Sequence, residues 1–178
     1  MHVTLDKYAR DYALWRDFAA IDYHAAIRLF ETDDPFMYFP AATLGHHALE
    51  MYFKSALILS GMTVFNPKKL KELDPSVALA ADDCAWGHNL VQLGKLFAVR
   101  SPHFDMSATL PVIGLVTIQE PIAVEQGLAI FDPFFTELRY PREMRVMSGL
   151  GPEHRLLLDE LVRVLQQARG LCRVAGAP

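Results

Sequence analysis

The chain has 178 residues and a mass of 20.0 kDa, the size of one compact domain, so a single helical domain over residues 1–178 is expected. Apolar residues make up 52% and charged residues 21%, without a low-complexity run, which excludes a disordered or fibrous chain. Net charge is −4 and unevenly placed: 10 basic and 17 acidic residues precede Arg139, and 7 arginines and 4 acids follow from there. An anion site should therefore draw on the last quarter of the chain.

No run approaches the ~18 uninterrupted apolar residues of a membrane span, and the first seven residues carry no apolar signal core. The expectation is a soluble cytoplasmic protein with no membrane partner. Cys84 and Cys172 form no Cys-x-x-Cys pair, so both are read as reduced and structural zinc is disfavoured.

Proline-free stretches mark the candidate helices. In the first, Leu5, Tyr8, Tyr12, Trp15 and Ala19 recur at helical spacing, ending near Thr32-Asp33-Asp34-Pro35. The second, about Ala41 to Ser60, is apolar nearly all round and stops at Gly61, which places it at the centre of a bundle. The third, about His88 to Val99, presents Leu90, Leu93, Leu96 and Phe97 on one face. The fourth, about Ile122 to Leu138, begins after Pro121 and should kink or break at Pro133. The fifth, about Pro152 to Val174, carries a stripe from Leu157 to Cys172.

The run Leu110 to Ile118 is β-like, but a lone strand lacks a partner for its backbone, so a buried connection is expected. The fold class is all-α. The long connections from Met62 to Trp86 and Arg100 to Glu120 exceed ordinary loops and suit binding elements or short helices.

Phosphate-loop, dinucleotide-fold and nucleophile-elbow motifs are absent from the sequence. His46, His47 and Glu50 share a helical face, yet the chain supplies no repeated Glu and Glu-x-x-His pattern for a bundle metal site. One histidine then reads as an interior polar group and the other as exposed, with no metal and no cofactor. Gly87-His88-Asn89 opens the third helix, where it either caps the helix or holds an anion; the cap is favoured.

Leu138-Arg139-Tyr140-Pro141-Arg142-Glu143-Met144-Arg145 is the densest cationic segment. Guanidinium forks suit phosphate, and the Tyr140 ring offers a stacking surface. The alternative is a solvated loop with Arg139 paired to an interior carboxylate such as Glu50. Lys68-Lys69-Lys71 reads as a solvated face.

Three pieces in this order resemble a HEPN domain, the helical family named for higher eukaryotes and prokaryotes nucleotide-binding. They are Ala41-Ala42-Thr43-Leu44-Gly45-His46-His47-Ala48-Leu49-Glu50-Met51-Tyr52-Phe53-Lys54-Ser55-Ala56-Leu57, Gly87-His88-Asn89-Leu90-x-x-Leu93, and Leu138-Arg139-Tyr140-Pro141. The resemblance implies an up-and-down bundle of four or five helices that commonly forms a homodimer. It also implies either a ribonuclease of toxin–antitoxin and defence systems, with a nucleotidyltransferase-type antitoxin partner, or a noncatalytic nucleotide- or RNA-binding module. Carried over by position, Glu50 and Lys54 lie on the central helix, His88 opens the third, and Arg139 and Tyr140 precede the last.

The ribonuclease members carry Arg, four to six residues, then His. Here Arg145 and His154 are separated by eight residues, and Arg100 and His103 by two. That departure favours a noncatalytic module binding a nucleotide or RNA phosphate through Arg139, Tyr140, Arg142 and Arg145, with His88 and Lys54 nearby. The alternatives are a metal-independent ribonuclease, with His154 or His88 as acid/base beside Arg145 or Arg139, and a pure dimeric interaction module.

Overall fold

The computed structural model describes residues 9–66, 68, 84–111, 121–135 and 150–170. Among them the fold is an all-α bundle of five helices: α1 Tyr12–Phe30, α2 Pro35–Leu59, α3 Leu90–Arg100, α4 Val124–Phe131 and α5 Glu153–Gly170. No described helix is long and apolar enough to cross a membrane.

α1 starts at Asp11, whose carboxylate accepts from the Ala13 and Leu14 amides at 3.1 and 3.0 Å and so satisfies two orphan donors. α2 starts six residues earlier than its sequence suggests. Asp34 caps it, accepting from the Phe36 amide at 3.0 Å, and Pro35 occupies the first position, where no amide donor is needed. Pro40 lies inside the helix, against the expectation that it separates two elements. Its missing bond falls in the first turns, where Phe36 is strongly exposed and water can solvate the freed carbonyl.

The other end of α2 follows the sequence closely. Gly61 adopts φ +92°, its amide donates to Ile58 at 2.9 Å, and the Met62 amide donates back to Leu57 at 3.0 Å. This pair of bonds closes the last carbonyls, and only a residue without Cβ takes that φ cheaply. Between these ends α2 buries almost every residue from Ala41 to Leu59 and packs on all four other helices. Close approach is set by Gly45, where a Cβ would lie 3.0 Å from Leu158 and 3.1 Å from Phe131.

α3 begins at Leu90 rather than His88, because Asn89 is its cap. α4 begins at Val124, not directly after Pro121, and Pro133 follows its end at Asp132 as a break. α5 buries His154, Leu157, Leu158, Leu161, Val162, Leu165 and Ala168. Two isolated bridges, Thr63 with Cys84 and Thr109 with Ala123, tie loop ends together. Leu110, fully buried, donates its amide to Ile122 at 2.8 Å, which gives the start of the β-like run a backbone partner without a strand; residues 112–120 lie outside the described ones.

Candidate functional site

Among the described residues, the most polar place in the interior is the middle of α2. Glu50 is 1% exposed, and Lys54, one turn further on and 3% exposed, donates its ammonium to Glu50 Oε1. An ion pair taken this far out of water persists only if its remaining polar atoms also find partners. His88, delivered by the loop before α3, supplies them: its Nδ1 lies 3.0 Å from both Glu50 carboxylate oxygens. An ionised carboxylate only accepts, so Nδ1–H donates and Nε2 is left on the opposite edge of the ring.

His46, one turn before Glu50 and wholly buried, approaches from below. Its Nδ1 is 3.0 Å from the Phe131 carbonyl oxygen, which can only accept, so this nitrogen carries the proton. Nε2 then faces Glu50 Oε2 at 3.7 Å, beyond hydrogen-bond length. Burial by itself would raise the Glu50 carboxyl; the Lys54 ammonium and the His88 donor oppose it and hold the group below the ordinary carboxylate range.

Aromatic rings wall the cluster. The Lys54 ammonium sits over Trp15 at 5.2 Å and over Trp86 at 5.7 Å. Phe135 stacks on His88 with centroids 4.0 Å apart and planes 16° apart, and on His46 at 5.5 Å. The side chain of His88 remains 43% exposed. It is the member of the cluster that meets solvent.

The fixed tautomer gives His88 two chemical capacities at Nε2: a hydrogen bond to an anion when the ring is charged, and proton acceptance when it is neutral. Lys54, in contrast, is turned inward, so its charge serves to neutralise Glu50. Among the described residues no group of three or more His, Cys, Asp or Glu side chains is arranged to hold a metal.

The start of α3 resolves as a cap. Asn89 Oδ1 accepts from the Gln92 amide at 2.7 Å, while Asp132 accepts from the Leu90 amide and from Asn89 Nδ2, both at 2.6 Å. The place where the helix would attract an external anion is taken by an internal carboxylate.

The other histidines are equally definite. His47 Nδ1 lies 2.6 Å from Asp22 Oδ2 across α1 and α2, half exposed, as the reading of one interior and one outer histidine expects. His154 is 8% exposed, with Nδ1 at 3.2 Å from the Gly151 amide and carbonyl, its ring edge-on to Phe131 at 6.4 Å. Burial lowers its pKa and keeps the neutral form. Phe131 links the two regions: its carbonyl holds His46 and its ring faces His154.

Of the residues proposed from sequence, Lys54 and His88 are thus brought together on Glu50, and His154 is not part of that cluster. Arg139, Tyr140, Arg142 and Arg145 lie outside the described residues, as do Lys69, Lys71 and Cys172. Sequence reasoning missed Trp15, Trp86 and Phe135. Trp86 stands two residues before His88, which was the available signal; Trp15 and Phe135 come from distant segments. No family model, curated protein sequence or solved structure matches this chain.

Proposed function

We propose that the chain is a noncatalytic HEPN-like module that binds the phosphate of a nucleotide or RNA, with His88 Nε2 as a ligand-facing donor. The observation that carries this reading is the His88 ring itself: locked by Glu50 on one edge, stacked by Phe135 on a face, and 43% exposed as a side chain. A donor held in place before the ligand arrives loses little freedom on binding. Phe135 also precedes Arg139 by only four residues in the chain, so the arginine-rich segment follows directly from the ring that stacks on His88. In this reading Glu50 and Lys54 are positioning residues, and the homodimer and a nucleotidyltransferase-type partner in a toxin–antitoxin or defence system complete the proposal.

The test is thermal unfolding of the full chain with and without a short oligoadenylate. A ligand that binds only the folded state raises its stability by mass action. A midpoint that rises with oligoadenylate concentration, and rises less at high salt, supports the proposal. A midpoint that does not move leaves a pure interaction module.

A second reading, a metal-independent ribonuclease, is favoured by one feature, the carboxylate-oriented imidazole of Glu50 and His88, an arrangement that holds a general base in one tautomer. Degradation of oligoadenylate in the presence of a chelator, lost in His88→Ala and retained in His154→Ala, would select it.

A further inference from the structure

We infer that Trp86 is the stacking surface for a nucleobase whose phosphate reaches His88, so that the ligand is recognised as an unpaired nucleotide rather than as a bare phosphate. This rests on the phosphate-binding reading above and deepens it.

The indole of Trp86 is 49% exposed although it is firmly placed. The Lys54 ammonium lies over the ring at 5.7 Å, and that ammonium is in turn fixed by Glu50. Phe65 packs beside the ring at 6.4 Å, and His88 lies 6.2 Å away at a steep angle. The indole is therefore contacted by Lys54, Phe65 and His88, while about half of the residue stays exposed.

What surrounds this plane narrows the ligand. Of the described residues that follow Trp86, His88 and Asn89 are exposed and polar. Between Trp86 and His88 stands Gly87, at φ +125°, where an added Cβ would meet no atom within 4 Å. The backbone there needs glycine, and the space beside it is open. An aromatic plane, an open step and a hydrogen-bond donor in succession match a base, a ribose and a phosphate. Stacking on tryptophan tolerates every base, because each presents a π face. Among the described residues, Asp132 and Glu50 are each already bonded to donors of the protein.

The experiment compares two fluorescent probes on the full chain, a short oligoadenylate and the abasic ribose-phosphate oligomer of the same length. The expected result is tighter binding of oligoadenylate, weakened by roughly tenfold to the abasic level in Trp86→Ala and largely retained in Trp86→Phe. Abasic binding should not respond to either substitution. In a Trp15→Phe background, where Trp86 is the remaining tryptophan, adenosine monophosphate should quench the emission of the otherwise native chain. If both probes bind equally and Trp86→Ala changes neither, the stacking role is overturned while phosphate binding stands. If neither probe binds the unaltered chain, both fall.

Discussion

His88 and His154 each stand at the N-terminal end of a helix, yet the two ends of the molecule treat the same side chain in opposite ways. His88 rests on an ionised carboxylate and keeps much of its side chain exposed. His154 is sunk against Phe131, its Nδ1 next to backbone atoms of Gly151, with burial holding it neutral. The difference teaches that position at a helix start says little about a histidine's role. The partner on one nitrogen and the surroundings of the other decide it.

The largest effect should come from breaking the carboxylate under His88. Glu50→Gln leaves the Lys54 ammonium buried without its counter-charge, at a cost of roughly 3–5 kcal/mol, read as a lower urea midpoint. Adding Lys54→Met should recover much of that loss, since it removes the orphan charge. No recovery would mean that the pair does more than neutralise itself.

Acid should separate the two regions next. The Glu50 carboxyl sits at about 2 when folded against an ordinary 4.5, so its contribution is complete above pH 4.5 and disappears as pH falls toward 2. The loss is on the order of 3 kcal/mol. His154, with its pKa lowered, acts in a higher window: it favours the folded state above the ordinary imidazole value of 6.5 and penalises it as pH falls below that. His154→Leu should remove that upper decline while the Glu50 decline persists, and unfolding midpoints measured from pH 8 to pH 3 check both.

Smaller effects fall on binding and capping. Asn89→Ala removes the side chain that accepts from Gln92 and should cost about 1 kcal/mol of stability, without changing oligoadenylate affinity. A loss of affinity in that variant would return the start of α3 to the ligand site.

Much of this architecture is legible in the residues themselves. The nearly all-apolar composition of α2 announces its central place, and Gly61 announces its end. Glu50 and Lys54 meet because one helical turn separates them, and His46 joins by the same spacing. Pro40 misleads, because proline's penalty depends on where in the helix it falls and on whether water reaches the freed carbonyl. The approach of His88 to Glu50 follows from packing α3 on α2, which no local spacing encodes; only the resemblance of the paired motifs hinted at it. Trp86 sits in an irregular segment, where hydrophobic periodicity has nothing to report, and Phe135 lies in the helical turn after Pro133, where periodicity marks an apolar face without naming the ring it stacks on.

The most direct measurement is the affinity of the full chain for oligoadenylate in three forms: unaltered, His88→Ala and His154→Leu. With His88 as the ligand-facing donor, His88→Ala should bind roughly tenfold more weakly, the order of one charge-assisted hydrogen bond, and its unfolding midpoint should also fall because buried Glu50 loses a donor. His154→Leu should bind as the unaltered chain does. Equal affinity of the unaltered chain and His88→Ala would contradict the proposed site.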